Sequence, residues 1–269
     1  MKQTITLNNN IQIPIVGLGV YKIPKGMRTQ QAVATALNLG YRHIDTAAFY
    51  HNEEDVGIAI RKSGIPRKEI FVTTKLHPLR IYNIEKAVKK SLKKLGLDYI
   101  DLYLIHAPFF RKKAVWRKLE ELSKKGYLRT IGVSNYGIKD LQKLLKTAEI
   151  TPAVNQVEFH PFLNQKKLRE FCRAKNIIIE AHSPLLHGKK INKKEIEQIA
   201  IKYDKSIAQI LLKWSVQQGN VVLPKSENST HLKQNIDLFN FTIDKKDMDI
   251  LNSLNQNYHV AFISKFSKN

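Results

Sequence analysis

Eight short apolar runs, separated mostly by segments of helical period, predict an α/β chain: a (β/α)8 barrel, the TIM-barrel class, with a short N-terminal β-hairpin. The runs fall at residues 17–19, 43–45, 71–75, 100–106, 130–134, 153–158, 177–182 and 221–224. Between them, residues 30–39, 84–95, 115–124 and 207–216 repeat apolar side chains every three or four positions, as one face of a helix does. Eight such units within 269 residues match the size of a barrel, and residues 1–269 read as one domain. The competing arrangement is an open doubly wound sheet. It finds little support, because no G-x-G-x-x-G follows an early strand. Ahead of the first unit, TITLNNNIQIPIVGLG alternates apolar and polar residues around Asn8, Asn9 and Asn10, the pattern of a hairpin.

Composition narrows the class. Hydrophobic residues make up 43% of the chain, enough for a sizeable core. The single cysteine, Cys172, rules out a disulfide framework and fits a reducing compartment. No apolar run follows the first lysine as in a secretory signal, and none approaches the roughly 20 residues that span a bilayer. A cytoplasmic protein without a membrane partner is expected. The 45 Lys plus Arg against 23 Asp plus Glu leave a net charge of +22, which raises the question of nucleic acid. The basic residues, however, are spread along amphipathic segments, as at Lys86, Lys89, Lys90, Lys93 and Lys94. We read them as a solvated face, with no specific nucleic-acid site.

A barrel carries its chemistry at the C-terminal ends of its strands. Reading off those ends gives Asp45, Lys75, His106, Ser134, Asn135, Gln156, His182, Ser183, Lys225 and Ser226. Tyr50 follows Asp45 by five residues in the stretch GYRHIDTAAFYHNE at 40–53. A free phenol, with a pKa of about 10, is a poor proton donor near neutrality. A nearby ammonium is expected to lower it, and a carboxylate can hold that ammonium in place. Tyr50, Lys75 and Asp45 therefore make a proton donor for a carbonyl oxygen, with His106 able to give the same oxygen a second hydrogen bond. The nine histidines show no metal-ligand spacing, and no metal is expected.

These stretches, with TTKL at 73–76, LIH at 104–106, IGVSN at 131–135, NQVEFHP at 155–161 and LPKS at 223–226, resemble the aldo-keto reductase family over nearly the whole chain. The resemblance implies an NADPH- or NADH-dependent carbonyl reductase, by family habit a monomer. It implies Tyr50 as general acid, Lys75 and Asp45 as its tuning pair, and His106 as the substrate-orienting group. It further implies Ser134, Asn135 and Gln156 at the nicotinamide carboxamide, and Ser183 and Leu185 along the pyrophosphate. Lys225, Ser226 and Asn235 would hold the adenosine end.

The chain departs from the family's pattern at informative places. His182 stands where relatives stack an aromatic ring on the nicotinamide. His231 stands where NADPH users carry an arginine on the 2′-phosphate. Histidine lacks the bidentate fork, so NADPH is expected with weakened discrimination against NADH. In the substrate pocket Tyr21 and Phe49 keep aromatic walls, while His77 and Ala107 replace larger aromatics. With the short segment PFFRKKAVW and a brief tail after Leu254, this implies a shallow pocket for small polar aldehydes, dicarbonyls or keto sugars. Arg111, Lys112 and Lys113 read as a solvated loop beside it. A second reading is a cofactor-binding regulatory subunit with little turnover. The changed aromatics favour it, and the intact set of four catalytic residues opposes it.

Overall fold

The computed structural model describes residues 3–78, 81–108, 112–189 and 193–267. A hairpin comes first, β1 (Thr4–Thr6) and β2 (Gln12–Pro14), paired antiparallel. Eight parallel strands follow: β3 (Leu18–Gly19), β4 (His43–Asp45), β5 (Phe71–Leu76), β6 (Ile100–Ile105), β7 (Leu128–Ser134), β8 (Val154–Glu158), β9 (Ile178–His182) and β10 (Val221–Leu223). They neighbour one another in sequence order. Backbone bonds from Gly17 to Val222, from Val222 back to Ile15, and from Gly19 to Pro224 join the two edges, so the sheet closes. The expected (β/α)8 barrel is the observed fold.

Helices α1 (Met27–Asn38), α2 (Glu53–Lys62), α3 (Ile84–Leu95), α4 (Lys112–Lys124), α5 (Ile138–Leu145) and α6 (Lys166–Ala174) fill the first six crossovers. Two helices, α7 (Lys194–Tyr203) and α8 (Ile207–Gln217), stand between β9 and β10, and α9 (Ser229–Ile236) and α10 (Lys245–Ser253) follow. The sequence pattern had singled out only the second helix of that pair. Its start is sharp because Ser206 and Gln209 form a reciprocal capping box.

Helix α3 shows how a lysine-rich segment folds. Asn83 accepts from the Lys86 amide at its start, and Gly96 ends it in the left-handed region at φ 64°. Ile84, Ala87, Val88, Leu92 and Leu95 face the core, while Lys86, Lys89, Lys90 and Lys93 are exposed.

The hairpin decides which end of the barrel is free. Leu7 and Ile13 are buried against Phe71, Val154 and Val221, the first residues of β5, β8 and β10. Asn8 donates to the Pro152 carbonyl at 3.2 Å, and Asn9 donates to Thr130 Oγ1 at 3.1 Å. The N-terminal end is plugged, so polar chemistry is left to the opposite mouth.

Gly57 is required by a close approach. A Cβ there would stand 2.0 Å from the Leu95 carbonyl oxygen, where α2 crosses the end of α3. Gly57→Ala is expected to cost about 1–3 kcal/mol through overpacking. Denaturant unfolding checks this; an unchanged midpoint would mean the two helices part freely.

Candidate active site

The strand order of the barrel brings Lys75 of β5 beside Asp45, the last residue of β4. The Lys75 ammonium donates to both Asp45 oxygens at 2.7 Å, to the Thr46 carbonyl at 2.9 Å and to Tyr50 Oη at 3.3 Å. Tyr50 ends a short 3-10 turn, Ala48–Tyr50, and His51 turns the chain out at φ 61°. Asn52 holds this turn, accepting from Thr46 Oγ1 at 2.8 Å and donating to the Val20 carbonyl at 3.1 Å. His106, just past β6, meets the Tyr50 ring edge-on at 5.7 Å. The four residues expected from the sequence form one cluster.

Burial sets their charge states. Burial pulls Lys75 down, but the Asp45 carboxylate outweighs it and lifts the ammonium above the usual lysine value. Burial pushes Asp45 up against the pull of Lys75. Tyr50 is pushed up to about 12, first by burial, with Lys75 pulling down and Asp45 pushing up. The ammonium lowers the phenol as expected, but burial outweighs it and the net shift is upward. His106 is held well below the usual histidine value by burial, then by Lys75. Its buried Nδ1 has no hydrogen-bond partner among the described residues.

A second group of expected residues forms a hydrogen-bonded chain along the mouth. Ser134 Oγ donates to the Gln156 carbonyl at 2.9 Å. Asn135 Nδ2 donates to Ser134 Oγ at 2.9 Å and to the His106 carbonyl at 3.1 Å. His182 Nε2 lies 3.1 Å from Asn135 Oδ1, and its Nδ1 lies 3.1 Å from Ser183 Oγ, which reaches His187 Nε2 at 2.9 Å. Burial holds the His182 ring at about 4, neutral at ordinary pH. Gln156 Nε2 donates to Asp45 Oδ2 at 2.8 Å and to Glu180 Oε2 at 2.6 Å. Both amide hydrogens are committed, so Gln156 Oε1 is the atom left to accept a bond. A carboxamide NH2 suits that acceptor.

Leu185, half-buried, leads from Ser183 into a tight turn. Lys225 and Ser226 follow β10, and His231 and Asn235 sit on α9 of the same unit. Lys225 pairs with Glu227 at 2.9 Å, and Arg28 reaches the same carboxylate at 2.8 Å. His231 is exposed, and Asn235 is buried.

The pocket walls are uneven. Tyr21 and Phe49 are 43% and 48% exposed, large for aromatics, and flank Tyr50 and His77 at ring distances of 4.9 and 5.5 Å. Ala107 is fully buried and lines, with His77, His106 and Lys112, a void of about 10 Å³. The alanine at 107 thus leaves a small gap beside His77 and His106. Lys112 is tied to Asp140 at 2.5 Å, while Arg111 lies outside the described residues.

Two glutamates were missed by sequence reasoning, although one interrupts and the other ends a buried strand. Glu180, in the middle of β9, is fully buried, and burial beside Asp45 lifts its carboxyl to about 8. Glu158 ends β8 and takes bonds from the Val260 and Ala261 amides at 2.7 and 2.9 Å and from His160 at 2.9 Å. Those bonds overcome burial and hold it at about 2. The tail that looked too brief to roof the site is thus clamped beside the mouth.

A model of the aldo/keto reductase family matches residues 17–256. Glyoxal reductase of Bacillus subtilis (strain 168) is 46% identical over 269 aligned positions, covering 97% of this chain and 96% of that protein. The crystal structure of an aldo/keto reductase from Brucella melitensis is 44% identical with a TM-score of 0.91, covering 95% of this chain and 100% of that one. That of a Bombyx mori aldo-keto reductase in complex with NADP is 36% identical, again with a TM-score of 0.91, covering 98% and 96%.

Glu180→Gln tests the charge state of the interior. The unfolded carboxyl releases its proton near pH 4.3, the folded one near pH 8, so folding loses stability as pH rises between them. The variant lacks this loss. Its thermal midpoint, relative to the native chain, is expected to rise steadily from about pH 5 to about pH 9. A flat difference would mean that Glu180 is ionised throughout.

Proposed function

Because this chain belongs to the aldo/keto reductase family of oxidoreductases, we propose that it reduces small polar aldehydes, dicarbonyls or keto sugars to alcohols with NADPH, and accepts NADH, with Tyr50 as general acid. The observation that carries the reading is the Lys75 ammonium, bonded to both Asp45 oxygens and 3.3 Å from Tyr50 Oη. Residues 1–269 act as one catalytic barrel domain on this reading. The buried thiol of Cys172 suits a reducing, cytoplasmic setting.

Bound reduced nicotinamide supplies a hydride to the carbonyl carbon. The protein's task is the proton and the charge. As the oxygen gains negative charge, Tyr50 Oη gives it a proton; an alkoxide is a far stronger base than a phenolate. The phenolate left behind faces the Lys75 ammonium, which is already in place. Asp45 and the Thr46 carbonyl hold that ammonium. A phenol raised to about 12 stays protonated through neutral pH but is a weaker acid than a free phenol, so the transfer relies on the basicity of the oxygen as it becomes an alkoxide. Neutral His106 offers the same oxygen a hydrogen bond without competing as an acid.

The residues fit a nicotinamide carboxamide at Gln156 Oε1, Ser134 and Asn135, with the His182 ring as the flat face beside it. Ser183 and Leu185 follow for the pyrophosphate. At the adenosine end Lys225, Ser226 and Asn235 remain, but Glu227 offsets Lys225, and His231 is a weaker phosphate ligand than arginine. That supports modest preference for NADPH. The glyoxal reductase relative and the NADP-bound neighbour favour small dicarbonyls and a phosphorylated cofactor.

Tyr50→Phe is expected to lower kcat by about a hundredfold or more while cofactor affinity is retained. Nicotinamide oxidation and fluorescence titration read the two effects. Tight cofactor binding with no turnover in the native chain, on any carbonyl or in reverse on any alcohol, would instead favour a regulatory subunit. His231→Arg is expected to widen the ratio of NADH to NADPH dissociation constants by about tenfold. An unchanged ratio would place recognition of the 2′-phosphate elsewhere.

A further inference from the structure

Glu180 is a fully buried acid that the proton transfer does not use. The barrel register sets it beside Gln156: Ser134 of β7, Gln156 of β8 and Glu180 of β9 pair across three neighbouring strands. Its Oε2 takes a bond from Gln156 Nε2 at 2.6 Å. Its Oε1 has no hydrogen-bond partner among the described residues and lies 3.5 Å from His43 Nε2. Burying a carboxyl with one oxygen unbonded is unfavourable, and the bond to Gln156 is what that burial secures.

The orientation of the Gln156 amide follows from its two partners. Asp45, paired with the Lys75 ammonium, can only accept, so the Gln156 atom that faces it at 2.8 Å is the NH2 group. That bond alone fixes one corner of a planar amide and leaves its plane free to swing. The second bond, to Glu180 Oε2, fixes the plane. With Nε2 held at two points, Oε1 is left a single direction. Glu180 suits the task because burial, and then Asp45, keep it a neutral acid up to about pH 8. It therefore supplies an acceptor oxygen without setting a second anion beside Asp45.

We infer that Glu180 is a positioning residue that, by fixing the amide of Gln156, makes the site selective for a cofactor ring carrying a carboxamide NH2. Gln156 Oε1 accepts from that NH2, and Glu180 keeps the acceptor turned to it. The inference deepens the cofactor reading proposed above and rests on it. A ring that carries a methyl ketone in place of the carboxamide leaves the oriented acceptor without a donor, and a site built to pair a polar group disfavours an analogue that lacks it.

The test titrates the protein, by fluorescence, with NADP+, with its thionicotinamide analogue, which keeps the NH2, and with its 3-acetylpyridine analogue, which replaces the NH2 by methyl. The three share their riboses, pyrophosphate and adenine, so a packing role for Glu180 would shift all three dissociation constants alike. The native chain is expected to bind the acetylpyridine analogue about fivefold more weakly than NADP+, and the thionicotinamide analogue within about twofold of it. Glu180→Leu and Glu180→Ala both remove the acceptor, one nearly filling the space and the other leaving it open, so that one at least folds. Each is expected to bring the acetylpyridine gap to within about twofold. Glu180→Gln offers an amide oxygen in place of Oε2 and is expected to keep the gap. Equal affinities in the native chain would overturn the inference, as would loss of the gap in Glu180→Gln. Gln156→Leu separates the inference from the reading beneath it. If it abolishes a gap that Glu180→Leu and Glu180→Ala retain, the carboxamide is at Gln156 and the role of Glu180 falls. If the gap survives Gln156→Leu, the carboxamide is bound elsewhere and both fall.

Discussion

A lysine ammonium and an aspartate carboxylate lie side by side inside the barrel, 0% and 5% exposed, and the surrounding structure is what makes that tolerable. Two ions taken out of water each lose several kcal/mol of effective hydration, on the order of what a good pair returns. The balance holds only if every remaining donor and acceptor is satisfied. Lys75 is therefore given both Asp45 oxygens, the Thr46 carbonyl and Tyr50 Oη. Gln156 adds a bond to Asp45. The turn that carries Tyr50 must lie close because Thr46 just before it supplies an acceptor, and Asn52 keeps it there. From the far end, the hairpin side chains Leu7 and Ile13 close the interior to water. The position of the phenol is thus a consequence of solvating a lysine.

The same pair dictates the charge of its neighbours. One ammonium balances one carboxylate, and no second ammonium among the described residues is bonded to it. A further anion there would face Asp45 without compensation. Burial first, and then Asp45, keep the proton on Glu180, bridged to Asp45 through Gln156, up to about pH 8, and on Tyr50 up to about 12. His43, whose Nε2 lies 2.9 Å from Thr73 Oγ1 and 3.5 Å from Glu180, is pushed down to about 3 by burial and stays neutral. A carboxylic acid, an imidazole and a phenol, all neutral, surround a single ion pair.

Much of this was legible in the sequence because it is local. Strand and helix periods marked the barrel, and polar residues ending apolar runs marked the mouth. Asp45, Tyr50, Lys75 and His106 meet because each ends, or closely follows, one of three adjacent strands. What stayed hidden depends on several strands at once. Glu180 sits in the middle of its strand, where alternation assigns only a face, and its partners come from β4 and β8. Glu158 acts on amides about a hundred residues away, so no local pattern pairs it with the tail. The direction of the Tyr50 shift could not be read from neighbours alone, because burial and Asp45 together outweigh Lys75. The burial of Ala107 could not be read locally either, since the gap it lines is shared with Lys112 and Val115 of α4.

His182 shows how the mouth keeps its order with smaller side chains. A large aromatic is held by packing area, whereas an imidazole has less area and two in-plane nitrogens. Here both nitrogens are engaged, one with Asn135 and the other with Ser183, so the ring plane is set by hydrogen bonds. Ser183 is steadied in turn by His187, and Asn135 by Ser134 and the His106 backbone. The chain of bonds links the His106 backbone to the residues proposed for the carboxamide. It also remains neutral along its length, because burial keeps His182 and His106 uncharged. A mouth of oriented neutral dipoles above one compensated ion pair has little field to offer a resting carbonyl. On the proposed reading its response is reserved for the moment when charge develops on the oxygen, when Lys75 and Tyr50 already stand in place and need no reorganisation.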